Sequence, residues 1–268
     1  MRITRVIFSA AVAASCASIG LVATLPAQAA STASYVALGD SYSSGVGAGN
    51  YIPSSGSCDR STNAYPEQWA SANSPAAFVS VACSGATTSD VLSSQVSALS
   101  HSTTLVSITI GGNDAGFSSV IETCVLWTTS SCLSAVSNAE TFIAQQLPAL
   151  LNKTLQTIRT DAPNAKIVVL DYPELYDLSK SSSCIGLSTQ DRTALNQGAD
   201  QLDQAIATAA AANRDTFADV RGQFAGHEIC DSSSWLHSVD ILDITSSYHP
   251  TANGQELGYL PVFTSTAG

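Results

Sequence analysis

Short apolar runs alternate along the chain with longer segments of helical spacing. Runs rich in β-branched and aromatic residues occupy 35–38, 78–82, 105–110, 166–170 and 216–220, and predict strands. Between them, residues 87–99, 135–159 and 189–213 carry helical patterns. Pro148 interrupts the second. The third places Leu195, Leu202 and Ile206 on one face, at spacings close to whole helical turns. A further short helix is expected within 251–263. Strands alternating with helices predict right-handed crossovers and an α/β fold with a parallel sheet covered on both faces. Functional sites in such sheets form beyond the carboxyl ends of the strands.

The first thirty residues stand outside this pattern. Arg2 and Arg5 precede an apolar, alanine-rich stretch from Val6 to Leu25, and Ala27-Gln28-Ala29 has the small-x-small form of a cleavage site. Residues 1–30 therefore read as a secretory signal peptide, and 31–268 as one catalytic domain. No later segment is long and apolar enough to span a bilayer. Removing Arg2 and Arg5 leaves 8 basic against 21 acidic side chains, a net charge of −13. Such a chain repels nucleic acid and anionic membranes at long range. The expected protein is a secreted monomer.

Cys16 leaves with the leader, and six cysteines remain: Cys58, Cys83, Cys124, Cys132, Cys184 and Cys230. An even number in an exported chain predicts three disulfides, with fifteen connectivities open. The closely spaced cysteine pairs of a zinc site are missing from the sequence.

Three predicted strands end in unusual residues: Gly39-Asp40-Ser41, Cys83-Ser84-Gly85 and Gly111-Gly112-Asn113-Asp114. In a parallel sheet these ends share one edge. A serine hydroxyl, a glycine N–H and an asparagine amide there supply a nucleophile and two donors for a developing oxyanion. Asp40 reads as a helix cap, and a plain capping role is the alternative for Asn113. Of the four histidines, His249 lies in Tyr248-His249-Pro250-Thr251, where Pro250 suits a loop-to-helix junction. It is the candidate base.

These motifs resemble the GDSL, or SGNH, hydrolase family. Gly39-Asp40-Ser41 matches its first block, with Ser41 as nucleophile. Gly85 matches the second-block glycine, Asn113 the third-block asparagine and His249 the last-block histidine. All four occur in order across the mature chain, and the chain looks most like the secreted actinobacterial lipases, esterases and phospholipases A1 of that family. The resemblance implies a three-layer α/β/α domain around a mainly parallel five-stranded sheet of flavodoxin-like order. It also implies an oxyanion hole of Ser41, Gly85 and Asn113, and the pairings Cys58–Cys83, Cys124–Cys132 and Cys184–Cys230. The G-x-S-x-G elbow of α/β-hydrolases does not fit, because Ser43 stands at the last glycine.

One position departs from the family. Its usual aspartate three residues before the histidine is Ser246 here. Either Asp240 or Asp243 reaches the ring, or a backbone carbonyl near Ser246 or Ser247 accepts its Nδ1–H. The second arrangement, a Ser–His dyad, is favoured by the likeness to secreted members. The expected reaction is hydrolysis of lipid esters through an acyl-enzyme, with no metal or organic cofactor. Ile52, Phe117, Val120 and Leu126 are candidates for an acyl groove. Carbohydrate deacetylation is the alternative within hydrolases. A catalytically silent binding module is the alternative outside them.

Overall fold

The computed structural model describes residues 32–180, 184, 186–240 and 242–268. The leader expected over 1–30 lies outside the described residues. Five parallel strands, β1 (Ser34–Gly39), β2 (Ala77–Ser80), β3 (Leu105–Thr109), β4 (Lys166–Leu170) and β5 (Thr216–Ala218), form one sheet in the order β2-β1-β3-β4-β5. Successive strands are added to one side of β1 and then to the other, so the strand order reverses between β1 and β3, and a ligand crevice is expected at their carboxyl ends. The central strands β1 and β3 are buried along nearly their whole length, as a sheet covered on both faces requires.

The helices are α1 (Ser41–Ser44), α2 (Tyr65–Asn73), α3 (Thr88–Ser93), α4 (Phe117–Leu126), α5 (Thr129–Gln145), α6 (Leu147–Asp161), α7 (Thr189–Asn213), α8 (Arg221–Phe224) and α9 (Leu260–Ala267). A π-helical stretch, Gly254–Tyr259, runs directly into α9. Helices α4, α5, α7 and α6 pack side by side in that order on one face. On the other, Tyr35 of β1 stacks on Phe263 of α9 and meets Trp69 of α2 edge-on. The three layers match the expected architecture.

Several boundaries differ from the pattern-based expectation. The segment 135–159 is two helices, with Pro148 in the first turn of α6, where a missing N–H costs nothing. Its first half starts earlier, because the Thr128 side chain accepts from Ser131 N–H and caps α5. The expected helix 87–99 is α3 followed by a 3₁₀ turn at Gln95–Ala98. Strand β2 lies at 77–80 rather than 78–82, and β5 stops at 218. Disulfides join Cys58 to Cys83, Cys124 to Cys132 and Cys184 to Cys230, the pairings implied by the family resemblance. Among the described residues no helix is long and apolar enough to cross a membrane.

The sheet also buries carboxylates. Burial raises Asp171 to about 7 and Asp40 to about 6, and pushes Asp203 well up. The nearest cation to Asp171 and Asp203 is Arg221, at 3.6 and 3.9 Å. The folded state therefore keeps protons on these groups that the unfolded chain has already released. Their stabilising effect is complete below the ordinary carboxylate pKa of about 4 and is lost as pH rises through 6 to 7. His249 acts in the opposite sense, since burial holds it neutral down to about 4. Three carboxylates outweigh one imidazole. The melting temperature is expected to be higher at pH 5.5 than at pH 8, and calorimetry showing the reverse order contradicts this account.

Candidate active site

Ser41 follows β1 at the first position of α1 and is almost fully buried. Its placement depends on the two residues before it. Gly39 has φ +123°, and a Cβ there would sit 2.5 Å from the Thr109 carbonyl oxygen, so only glycine lets β1 pass this close to β3. The Asp40 carboxylate accepts from Tyr42 N–H at 3.0 Å and from Thr109 Oγ1 at 2.7 Å, and the Tyr172 hydroxyl also donates to it. Asp40 is thus a cap and an anchor, and it fixes the serine turn to β3 and to the loop after β4.

His249 lies opposite. Its Nε2 is 2.8 Å from Ser41 Oγ, and its Nδ1 is 3.0 Å from the Ser247 carbonyl oxygen. A carbonyl can only accept, so Nδ1 carries the proton in the neutral ring and Nε2 is the acceptor for the serine hydroxyl. Desolvation by burial lowers the imidazole to about 4. The ring is therefore neutral, and able to take a proton, well into the acidic range.

Neither Asp240 nor Asp243 hydrogen-bonds the ring. Asp243 accepts from Ser246 Oγ at 2.6 Å and from Ser246 N–H at 3.3 Å. Asp240 accepts from the N–H groups of Leu242 and Asp243. Of the two serines considered, Ser247 supplies the carbonyl and Ser246 tethers Asp243.

The other two strand ends close on the same place. Gly85 has φ +76° and open space where a Cβ would point. Asn113 donates from Nδ2 to the Ala86 carbonyl at 3.0 Å. Asp114 accepts from Thr88 N–H and Oγ1, so the loops after β2 and β3 are bound to each other. Among the described residues, the N–H groups of Ser41 and Gly85 have no hydrogen-bond acceptor. Ser41, Gly85 and Asn113 border the same groove.

Three supporting residues went unrecognised in the sequence. The Tyr42 hydroxyl donates to the Tyr248 carbonyl at 2.7 Å, and its ring packs against His249. Tyr172 holds Asp40, as described. His237 donates from Nε2 to the Gly47 carbonyl and pairs by backbone with residues 248 and 249. Tyr42 directly follows the serine, but nothing in its local pattern distinguishes it from a core residue. The other two act through contacts across the fold.

Two cavities meet at Ser41 and Asn113. One is an apolar slot of about 70 Å³, running between α4, α5 and α7. Phe117, Val120, Val136 and Ile143 line it, and small residues, Ala139, Gly198 and Ala199, keep it open. The other is a wider outer groove of about 470 Å³, bounded by α4 and by the segment leading to His249. Of the four proposed groove residues, Phe117 borders both cavities, Val120 the slot and Leu126 the outer groove. Ile52 borders neither. No cluster of three or more potential metal ligands occurs among the described residues.

Residues 37–257 match the GDSL-like Lipase/Acylhydrolase family. The chain belongs to that family. It is a carboxylic ester hydrolase, and relatives across nearly its whole length agree. Lipase 1 of Streptomyces coelicolor is 52% identical over 266 residues, 99% of this chain and 98% of the relative. The phospholipase A1 structure from Streptomyces albidoflavus NA297 superposes with a TM-score of 0.86 at 52% identity, covering 88% of this enzyme and all (100%) of that chain. The extracellular lipase from Streptomyces rimosus gives 0.85 at 51% identity, covering 87% and 99%.

Proposed function

We propose that this hydrolase is a secreted lipase or phospholipase A1 that works through an acyl-enzyme on Ser41. The observation that carries the reading is a serine in hydrogen-bond contact with a neutral histidine, set where an apolar slot lined by Phe117, Val120, Val136 and Ile143 opens. Ser41 Oγ attacks the ester carbonyl as His249 Nε2 takes its proton. The carbonyl oxygen becomes an oxyanion and is held by the N–H groups of Ser41 and Gly85 and by Asn113 Nδ2. Collapse of this intermediate breaks the bond to the alcohol, which leaves with the proton from His249. Water then attacks the acyl-enzyme under the same base, and the fatty acid departs.

The Ser247 carbonyl orients the imidazole in place of a carboxylate. It fixes the tautomer but supplies no full negative charge to the imidazolium. The acyl chain lies in the slot, and the outer groove holds the alcohol portion. Export is supported by the leader sequence, the three disulfides and the extracellular relative.

The test is a hydrolysis panel of triacylglycerol, phosphatidylcholine, p-nitrophenyl esters of rising chain length and acetylated xylan, with fluorophosphonate labelling alongside. Labelling on Ser41 and faster turnover of long-chain lipid esters are expected. Preference for acetylated xylan would assign the enzyme to carbohydrate deacetylation. Folded protein that neither labels nor hydrolyses any ester would be a binding module.

A further inference from the structure

Apolar side chains are exposed on both walls of the outer groove. On one wall, Leu126 ends α4 and Trp127 follows it, and they are 65% and 70% exposed. The Cys124–Cys132 disulfide ties this corner to α5. On the other wall, the segment before His249 exposes Leu242 at 94% and Ile244 at 67%, while its serines, Ser246 and Ser247, are buried. Asp240, Asp243 and Thr245 of the same segment are exposed beside Leu242 and Ile244. Ser246 and Ser247 turn inward, Ser246 Oγ donating to Asp243 and Ser247 Oγ accepting from Asp240 N–H. Four large apolar side chains exposed about one groove form a patch rather than scattered surface residues, and such patches mark interaction surfaces.

We infer that Trp127 and Leu242, with Leu126 and Ile244 beside them, dock the enzyme onto an uncharged or zwitterionic lipid surface. The inference rests on the lipid-ester reading and extends it to how the substrate is delivered. Whatever covers this patch also covers the groove that opens on Ser41 and His249, so the occupant presents the ester. Tryptophan suits the boundary between headgroups and acyl chains. Charge selects the kind of surface. Residues 117–127 and 239–249 contain Glu122, Asp240 and Asp243 and no lysine or arginine, in a chain of net charge −11. A basic rim is what an anionic bilayer requires, and this rim is acidic. The same segment supplies the Ser247 carbonyl to His249, so the docking surface and the base sit on one short length of chain.

The binding test uses Ser41→Ala protein, which does not consume its target, with phosphatidylcholine vesicles. Flotation with the vesicles and a blue shift of tryptophan fluorescence are expected. The double substitution Trp127→Ser/Leu242→Ser should weaken this binding by roughly tenfold or more. With Ser41 intact, the same pair should slow hydrolysis of vesicle phosphatidylcholine by a similar factor and leave monomeric p-nitrophenyl butyrate within about twofold. Trp127→Phe/Leu242→Ile should restore vesicle activity. The docking inference fails if the Ser pair leaves vesicle binding unchanged or slows both substrates equally. It also fails if phosphatidylglycerol vesicles are bound as tightly as phosphatidylcholine. A dimer in solution that the Ser pair dissociates would assign the patch to a second copy of the chain. If wild-type protein bound vesicles but hydrolysed no ester, the lipase reading would fall and the surface would stand.

Discussion

Ser41→Ala and His249→Ala each lower kcat by on the order of 10⁴ or more, whereas Asp240→Asn and Asp243→Asn keep it within about tenfold. The contrast follows from where each group's hydrogen bonds go. Ser41 and His249 bond each other, and the remaining nitrogen of the ring bonds the Ser247 carbonyl. The carboxylates of Asp240 and Asp243 are engaged within their own loop. In a Ser–His–Asp triad, aspartate to asparagine stabilises the wrong imidazole tautomer and costs about 10⁴ in turnover. Here the backbone holds the tautomer, and no side-chain substitution removes that carbonyl. Ser246→Ala is likewise mild, because the residue only tethers Asp243. The measurement is kcat on a soluble ester for each variant, with circular dichroism to establish folding. A fall of about 10⁴ at Asp240 or Asp243 would restore a triad with a displaced carboxylate.

Asn113→Ala is expected to reduce kcat by about 10² to 10³ with little change in KM. One N–H of the amide is held by the Ala86 carbonyl, which fixes the plane of the group beside Ser41. The second N–H is then pre-positioned for charge that develops only as the tetrahedral intermediate forms. Such a donor contributes more to the transition state than to the bound ester. Steady-state kinetics separate the alternatives, since an effect confined to KM would make Asn113 a ground-state binding residue.

The sequence revealed the chemistry more clearly than its supports. The motifs beyond the strands were legible because short apolar runs give way to Gly39-Asp40-Ser41, Cys83-Ser84-Gly85 and Gly111-Gly112-Asn113, and a parallel sheet brings such segments to one edge. The helix α2 was not, because Tyr65-Pro66-Glu67-Gln68 lacks a sustained apolar face and its burial comes from packing against α9. The helix α4 reads as a scatter of groove residues, since its apolar positions serve two cavities rather than one core stripe. Choosing between the carbonyls of Ser246 and Ser247 required the actual turn before His249. Tyr172 lies 132 residues from its carboxylate partner, Asp40, beyond the reach of any local pattern.

The small residues along the acyl slot separate two kinds of change. Gly198 and Ala199 stand on α7 and Ala139 on α5, in a helical layer that holds neither the nucleophile nor the base. A methyl group on Gly198 would project toward Val136, 3.6 Å away, and narrow the slot. Ser41 and His249 are fixed instead by the sheet edge and by the chain before the π-helical stretch. Substitutions in this helical layer can therefore retune which fatty chains fit while the bond-breaking apparatus stays as it is. One scaffold can thus diversify across lipid sources by trading single methyl groups.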